Sequence, residues 1–129
     1  MRYYLLFFCL AIFVSCNSEF VSAEVKQSYE EVMRIHDEIM PEVSTIRRLK
    51  KKVKKVEDTS DEKAILIKQL EDANEGMMAW MAEFDLDRKA AEKQQLDYLD
   101  GEMKKITKVS DDMVNTIKIS NEYLKSNNQ

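Results

Sequence analysis

The sequence predicts an all-α fold, an up-down-up antiparallel three-helix bundle with coiled-coil-like seams, preceded by a cleaved signal peptide. Three observations predict it. Only two glycines and one proline stand among 129 residues, while the strong helix formers Lys, Glu, Met, Leu and Ala are abundant. Apolar residues recur at alternating spacings of three and four, and no run alternates with the period of a strand. The polar breaks between the periodic stretches are short, which implies antiparallel neighbours.

The chain opens MRYYLLFFCLAIFVSC, a basic Arg2 and then apolar residues from Tyr3 to Val14. A spanning helix needs about 20 apolar residues. This run is shorter and ends in small residues, so residues 1–15 read as a secretory signal. Phe13-Val14-Ser15-Cys16 resembles the lipobox of bacterial lipoproteins, with Phe13 where leucine is usual. Cleavage there would leave Cys16 as a diacylated N-terminus, two acyl chains being the physical minimum for stable anchoring. Cys9 would leave with the signal, so no disulfide is available and stability rests on packing. Residues 16–23 form the lipidated cysteine and tether, 24–125 one helical domain, and 126–129 a frayed tail.

The first helix, expected over 24–57, carries Val25, Tyr29, Val32, His36, Ile39, Val43 and Ile46 on its seam, then Leu49, Val53 and Val56 after a one-residue shift. Pro41 falls inside it, removes the bond to the Asp37 carbonyl and predicts a kink. Thr59 followed by Glu62 has the form of a capping box. It opens a second helix, 60–84, with the stripe Leu66, Leu70, Ala73, Met77, Trp80 and Phe84. Asp85-Leu86-Asp87 is the next turn. The third helix, 88–125, presents Leu96, Leu99, Met103, Ile106, Met113, Ile117 and Leu124, with Gly101 tolerated inside it.

The net charge of −4 becomes −5 without Arg2, 19 basic against 24 acidic residues. An acidic chain of this kind gives no general case for nucleic-acid binding. Its one basic run, RRLKKKVKKV at 47–56, has seven cations in ten residues. A polyanion site is one reading. The reading taken is a solvated helix end whose charge suits the helix C-terminus, partly neutralised by Glu57, Asp58, Asp61 and Glu62. This end would stand some 45 Å from the lipidated start. No nucleophile sits beside a base and no glycine loop could cradle phosphate, so an enzyme is not expected.

Three of the eight methionines and the single tryptophan crowd into residues 75–84. A turn centred between residues 58 and 59 places His36 opposite Met81, Met40 opposite Met77, and Met33 opposite Phe84, within one helical turn of about 5 Å. The third helix would pass near Gln94 to Tyr98. Imidazole and thioether donors select Cu(I) or Ag(I). Candidate ligands are His36, Met40, Met77 and Met81, with Met33 and Met78 in reserve and Trp80 as a cation–π shield. Zinc is disfavoured without a second histidine or a thiol. The competing reading, which takes precedence, is packing: methionine fills irregular cores and aromatics belong on buried stripes. No cofactor is then required.

The segments IHDEIMP (35–41), MMAWMAEF (77–84) and YLDGEMKKI (98–106) resemble a group of short lipoproteins from Bacteroidetes, especially flavobacteria, that often carry the label "viral A-type inclusion protein". The resemblance spans nearly all of the mature chain. It implies a cell-envelope lipoprotein and no particular activity. The functional expectation is a structural or protein-interaction module. It would be held to the membrane by the lipid on Cys16, face the periplasm or cell surface, and have an envelope protein as partner. The alternative is a periplasmic Cu(I)- or Ag(I)-binding protein.

Overall fold

The computed structural model describes residues 21–85 and 87–127. The expected signal peptide, Cys16 and most of the tether lie outside them, as do Leu86 and the last two residues. The regular elements among the described residues are all helical: α1 Ala23–Ile39, α2 Glu42–Lys55, α3 Asp61–Glu83 and α4 Glu92–Asn127. They form three arms of a helical bundle, the first divided into α1 and α2. The long α4 packs along both of those halves, and α3 packs against α2 and α4. Arg47 of α2 reaches Asn74 of α3 and Lys50 reaches Glu71, so these two helices run in opposite directions.

Proline divides the first arm as its chemistry requires. Met40 and Pro41 both keep right-handed helical torsions, with φ −54° and −58°. Pro41 has no N–H to donate, and the ladder tightens beside it: Val43 N–H bonds the Met40 carbonyl at 3.2 Å and Ser44 N–H the Pro41 carbonyl at 3.3 Å. These are three-residue steps in place of four. The apolar seam survives the break. Val32, Ile39, Val43, Ile46, Leu49 and Val53 are all buried on the two sides of it.

The α2–α3 connection corrects the expected capping box. Ser60, not Thr59, is the N-cap of α3, and its Oγ accepts the Lys63 N–H at 3.3 Å. The third residue after the cap is then Lys63, and Glu62 has no reciprocal role. Asp58 decides the choice. Its carboxylate accepts from the Ser60 N–H at 2.9 Å and the Ser60 hydroxyl at 2.6 Å. It also accepts from the Tyr123 hydroxyl at 2.7 Å, which ties the loop to α4. These hydrogen bonds, Ser60's first, hold the Asp58 carboxyl down to about 2. Burial first, and then Asp58, push the Tyr123 phenol up to about 12.

Every stripe residue expected on α3 is buried, from Leu66 through Phe84. On α4 the stripe holds at Leu99, Ile106, Met113 and Leu124, but four further buried residues are Glu102, Thr116, Ser120 and Tyr123. The Ser120 hydroxyl donates to the Thr116 carbonyl at 2.7 Å, so its polarity is met within the helix. Glu102 bonds the Lys105 ammonium at 2.8 Å, and that lysine reaches out to solvent. The α3–α4 connection is longer than expected. Residues 88–91 are not helical, and α4 continues to Asn127 rather than fraying at Ser126.

Candidate functional site

Five rings from three helices tie one end of the bundle together. The His36 imidazole of α1 lies against the Trp80 indole of α3, centroids 5.5 Å apart and tilted by 32°. Trp80 stacks on Phe84 at 4.8 Å. Phe84 in turn meets Tyr29 of α1 and Tyr98 of α4, each at 6.1 Å. Offset contacts of this kind suit the ring quadrupoles. The α3–α4 loop is fastened to the same cluster. The Tyr98 hydroxyl accepts the Asp85 N–H at 2.8 Å, and the Arg88 guanidinium sits 4.8 Å over the Tyr98 ring. Beside this loop, Val25, Tyr29, Arg88, Gln95 and Tyr98 help line a cleft of about 570 Å³.

The structure brings the candidate soft ligands near one level but not into one environment. His36 meets Trp80, one residue from the expected Met81, and Phe84 meets Tyr29, one helical turn from the expected Met33. Tyr98 comes alongside Phe84. Met77 is wholly buried, whereas Met81 is 42% exposed. Met33, Met40 and Met78 are half-buried against the core. The His36 side chain is 13% exposed and its Nδ1 lies 2.8 Å from the carboxylate of Asp37. Among the described residues, no three His, Cys, Asp or Glu side chains are grouped to hold a metal. The Trp80 Nε1–H is buried without an acceptor among the described residues. Leaving a donor in that state costs about 1–3 kcal/mol.

The second candidate region is the outer face of α2. An open groove of about 750 Å³ runs along it from Met40 and Pro41 to Lys55. Arg47, Arg48, Lys51, Lys52 and Lys55 line its sides, all exposed. None of these five has a carboxylate within ion-pair distance among the described residues. Arg47 donates to the amide oxygen of Asn74 at 3.1 Å, and Arg48 reaches only the Thr45 hydroxyl at 3.5 Å. The neutralisation expected from Glu57, Asp58, Asp61 and Glu62 is not what the fold supplies. Asp58 is turned to Ser60 and Tyr123, and the acid that serves α2 is Glu71 of α3. It lies 3.4 Å from Lys50 and 3.9 Å from Lys54, on the flank that faces α3.

This arrangement is unfavourable for the helix itself. Like charges four residues apart destabilise by about 0.2–0.5 kcal/mol per pair, and Arg47–Lys51, Lys51–Lys55 and Arg48–Lys52 are such pairs. Attraction to the helix C-terminus offsets this for Lys52, Lys54 and Lys55 in the last turn. It does not reach Arg47, Arg48 or Lys51. Compared with known protein families, curated proteins and solved structures, the chain matches none.

Proposed function

We propose that this chain is a lipid-anchored helical protein of a bacterial cell envelope that acts as a protein-interaction module through its surface. The observation that carries the reading is the unneutralised outer face of α2 on a chain of net charge −4. The basic run holds seven of the 20 cations and no acid, so the rest of the chain sets 13 cations against 24 acids. A cationic face on an anionic body is suited to orienting a partner. For anchoring, the support is the Ser15-Cys16 pair and the short tether. Six residues separate Cys16 from α1, whose first turn is capped by the Ser22 hydroxyl on the Val25 N–H. In this reading the arms run up, down and up from the membrane, behind a signal peptide that is removed.

The test has two parts. Mass spectrometry of the mature protein should find a diacylated Cys16, and Cys16→Ser should release the protein from membranes. Crosslinking in the native envelope should recover one specific partner. An unmodified, membrane-free protein would refute the anchor, and recovery of random neighbours alone would refute the interaction.

A second reading, a Cu(I)- or Ag(I)-binding protein, draws support from the His36–Trp80 stack one helical turn beyond Met77. His36, Met40, Met77 and Met81 would share an ion only with Met81 drawn in toward the core. Titration of Cu(I) against a competing chelator decides it, with His36→Ala and Met81→Leu alongside. Equal affinity in all three proteins would reject the site.

A further inference from the structure

The cations of α2 stand in two rows. Arg47, Lys51 and Lys55 form one, and Arg48 and Lys52 the other, each stepping by four residues. On an α-helix four residues rise about 6 Å, so the longer row covers about 12 Å. The groove between them is not uniformly charged. It ends at the proline break, where Met40 and Pro41 supply apolar surface beside Ser44. The face thus has an apolar step at one end and a regular basic ladder leading away from it.

From this geometry we infer that α2 docks an acidic α-helix of a partner protein, with carboxylates every fourth residue and an apolar side chain one turn beyond them. The inference deepens the interaction reading above by naming the surface and the chemistry of its occupant. Complementarity of charge and of repeat favours this occupant. Carboxylates at every fourth position of a helix advance by the same 6 Å or so as the cation rows, so each can meet a basic side chain without either helix bending. Arginine at the Met40 end favours this partner further, because its planar fork holds a carboxylate bidentately. The apolar step fixes the register along the ladder, which charge alone would leave free to slip. Helix-in-groove recognition relies on anchors of this kind.

The experiment uses the full chain and four probes. The first is a synthetic helical peptide with glutamate at every fourth position and leucine one turn beyond. The second has the same composition in scrambled order. Inorganic polyphosphate and vesicles of phosphatidylglycerol and phosphatidylethanolamine complete the set. Titration calorimetry should show the ordered peptide binding more tightly than the scrambled one, with affinity falling as salt rises. The Arg48→Glu, Lys52→Glu double variant should lose affinity about tenfold or more, and Lys93→Glu on the far arm should not. An unchanged helical circular dichroism spectrum would show that the double variant still folds. Equal binding of the two peptides, or tighter binding of polyphosphate or vesicles, would overturn the inference. Its failure is separable from that of the broader reading. A specific envelope crosslink that persists in the double variant would leave the interaction module standing and remove α2 as its surface.

Discussion

On α1, Arg34 stands between two acids, 2.6 Å from Glu31 and 2.7 Å from Glu38, and Lys26 pairs with Glu30 at 3.7 Å. On α2, Arg48 has only a threonine hydroxyl, and Lys51 has no acidic partner among the described residues. Both stretches belong to one arm and share one seam. Val32 and Val53, one in each half, are both fully buried. The core therefore does not explain the difference between them. A face that neutralises itself serves the fold, while one left unpaired at a cost to its own helix is the surface on which the proposed interaction rests. The α4 surface follows α1: Lys93–Asp97, Lys104–Asp100 and Lys108–Asp112 are all four-residue pairs.

If packing holds α2 as it holds α1, removing a buried side chain of α2 should be costly. Ile46→Ala should cost about 2–5 kcal/mol in chemical denaturation, the ordinary loss for a buried aliphatic side chain. A much smaller loss would mean that α2 is only loosely docked. The loop that closes α2 gives the next effect. Ser60→Ala should cost about 1 kcal/mol through loss of the cap, whereas Thr59→Ala should leave the denaturation midpoint nearly unchanged. Smaller still, and opposite in sign on the two halves, are the charge reversals. Lys51→Glu should stabilise the chain by about 0.2–0.5 kcal/mol for each like-charge neighbour relieved. Arg34→Glu should destabilise it, and both shifts should shrink in high salt. Reversals of the same sign would erase the contrast.

The last test is resolved by pH. Asp58 is held at about 2 in the fold against 3.8 for an ordinary aspartate. Its contribution is therefore complete above about pH 4 and is lost as pH falls through about 2. Tyr123 is raised from 10 to about 12, so its contribution is complete below pH 10 and is lost as pH rises through about 12. Asp58→Asn should flatten the acid limb of a stability profile and also reduce the alkaline fall. A profile unchanged at both ends would show that the Asp58–Tyr123 bond does not tie the α2–α3 loop to α4.

Much of this was legible in the spacing of residues. On α3 the three-and-four pattern finds every buried stripe residue, because that helix shows a single face to its neighbours. On α4 it falls short, since a helix packed on both halves of the first arm and on α3 needs a wider buried face. That width is supplied by Thr116, by Ser120, whose hydroxyl is met within the helix, and by Glu102, whose partner reaches water. Ser and Thr four residues apart beside an apolar stripe were the available signal. The ring cluster was half legible. A simple hairpin register places His36 within one residue of its true neighbour, but it counts the stretch at Pro41 as regular α-helix, which the three-residue steps there are not. The basic run was visible at once. The lack of acidic partners on its outer face was not, because sequence adjacency pointed to Glu57 through Glu62, while the fold turned Asp58 to the loop and brought Glu71 to the other flank.

The single indole and the single imidazole of this chain lie on different helices and touch. The unmodified protein thus carries its own optical gauge of the α1–α3 seam. Imidazole contact quenches indole emission, so opening that seam should brighten Trp80, and His36→Ala should brighten it without opening anything. The buried Nε1–H adds a second reading. Because the ring is buried, the emission should lie toward the blue and move red only when water reaches it. Intensity would then report contact between the helices and colour would report solvent entry, both without a label.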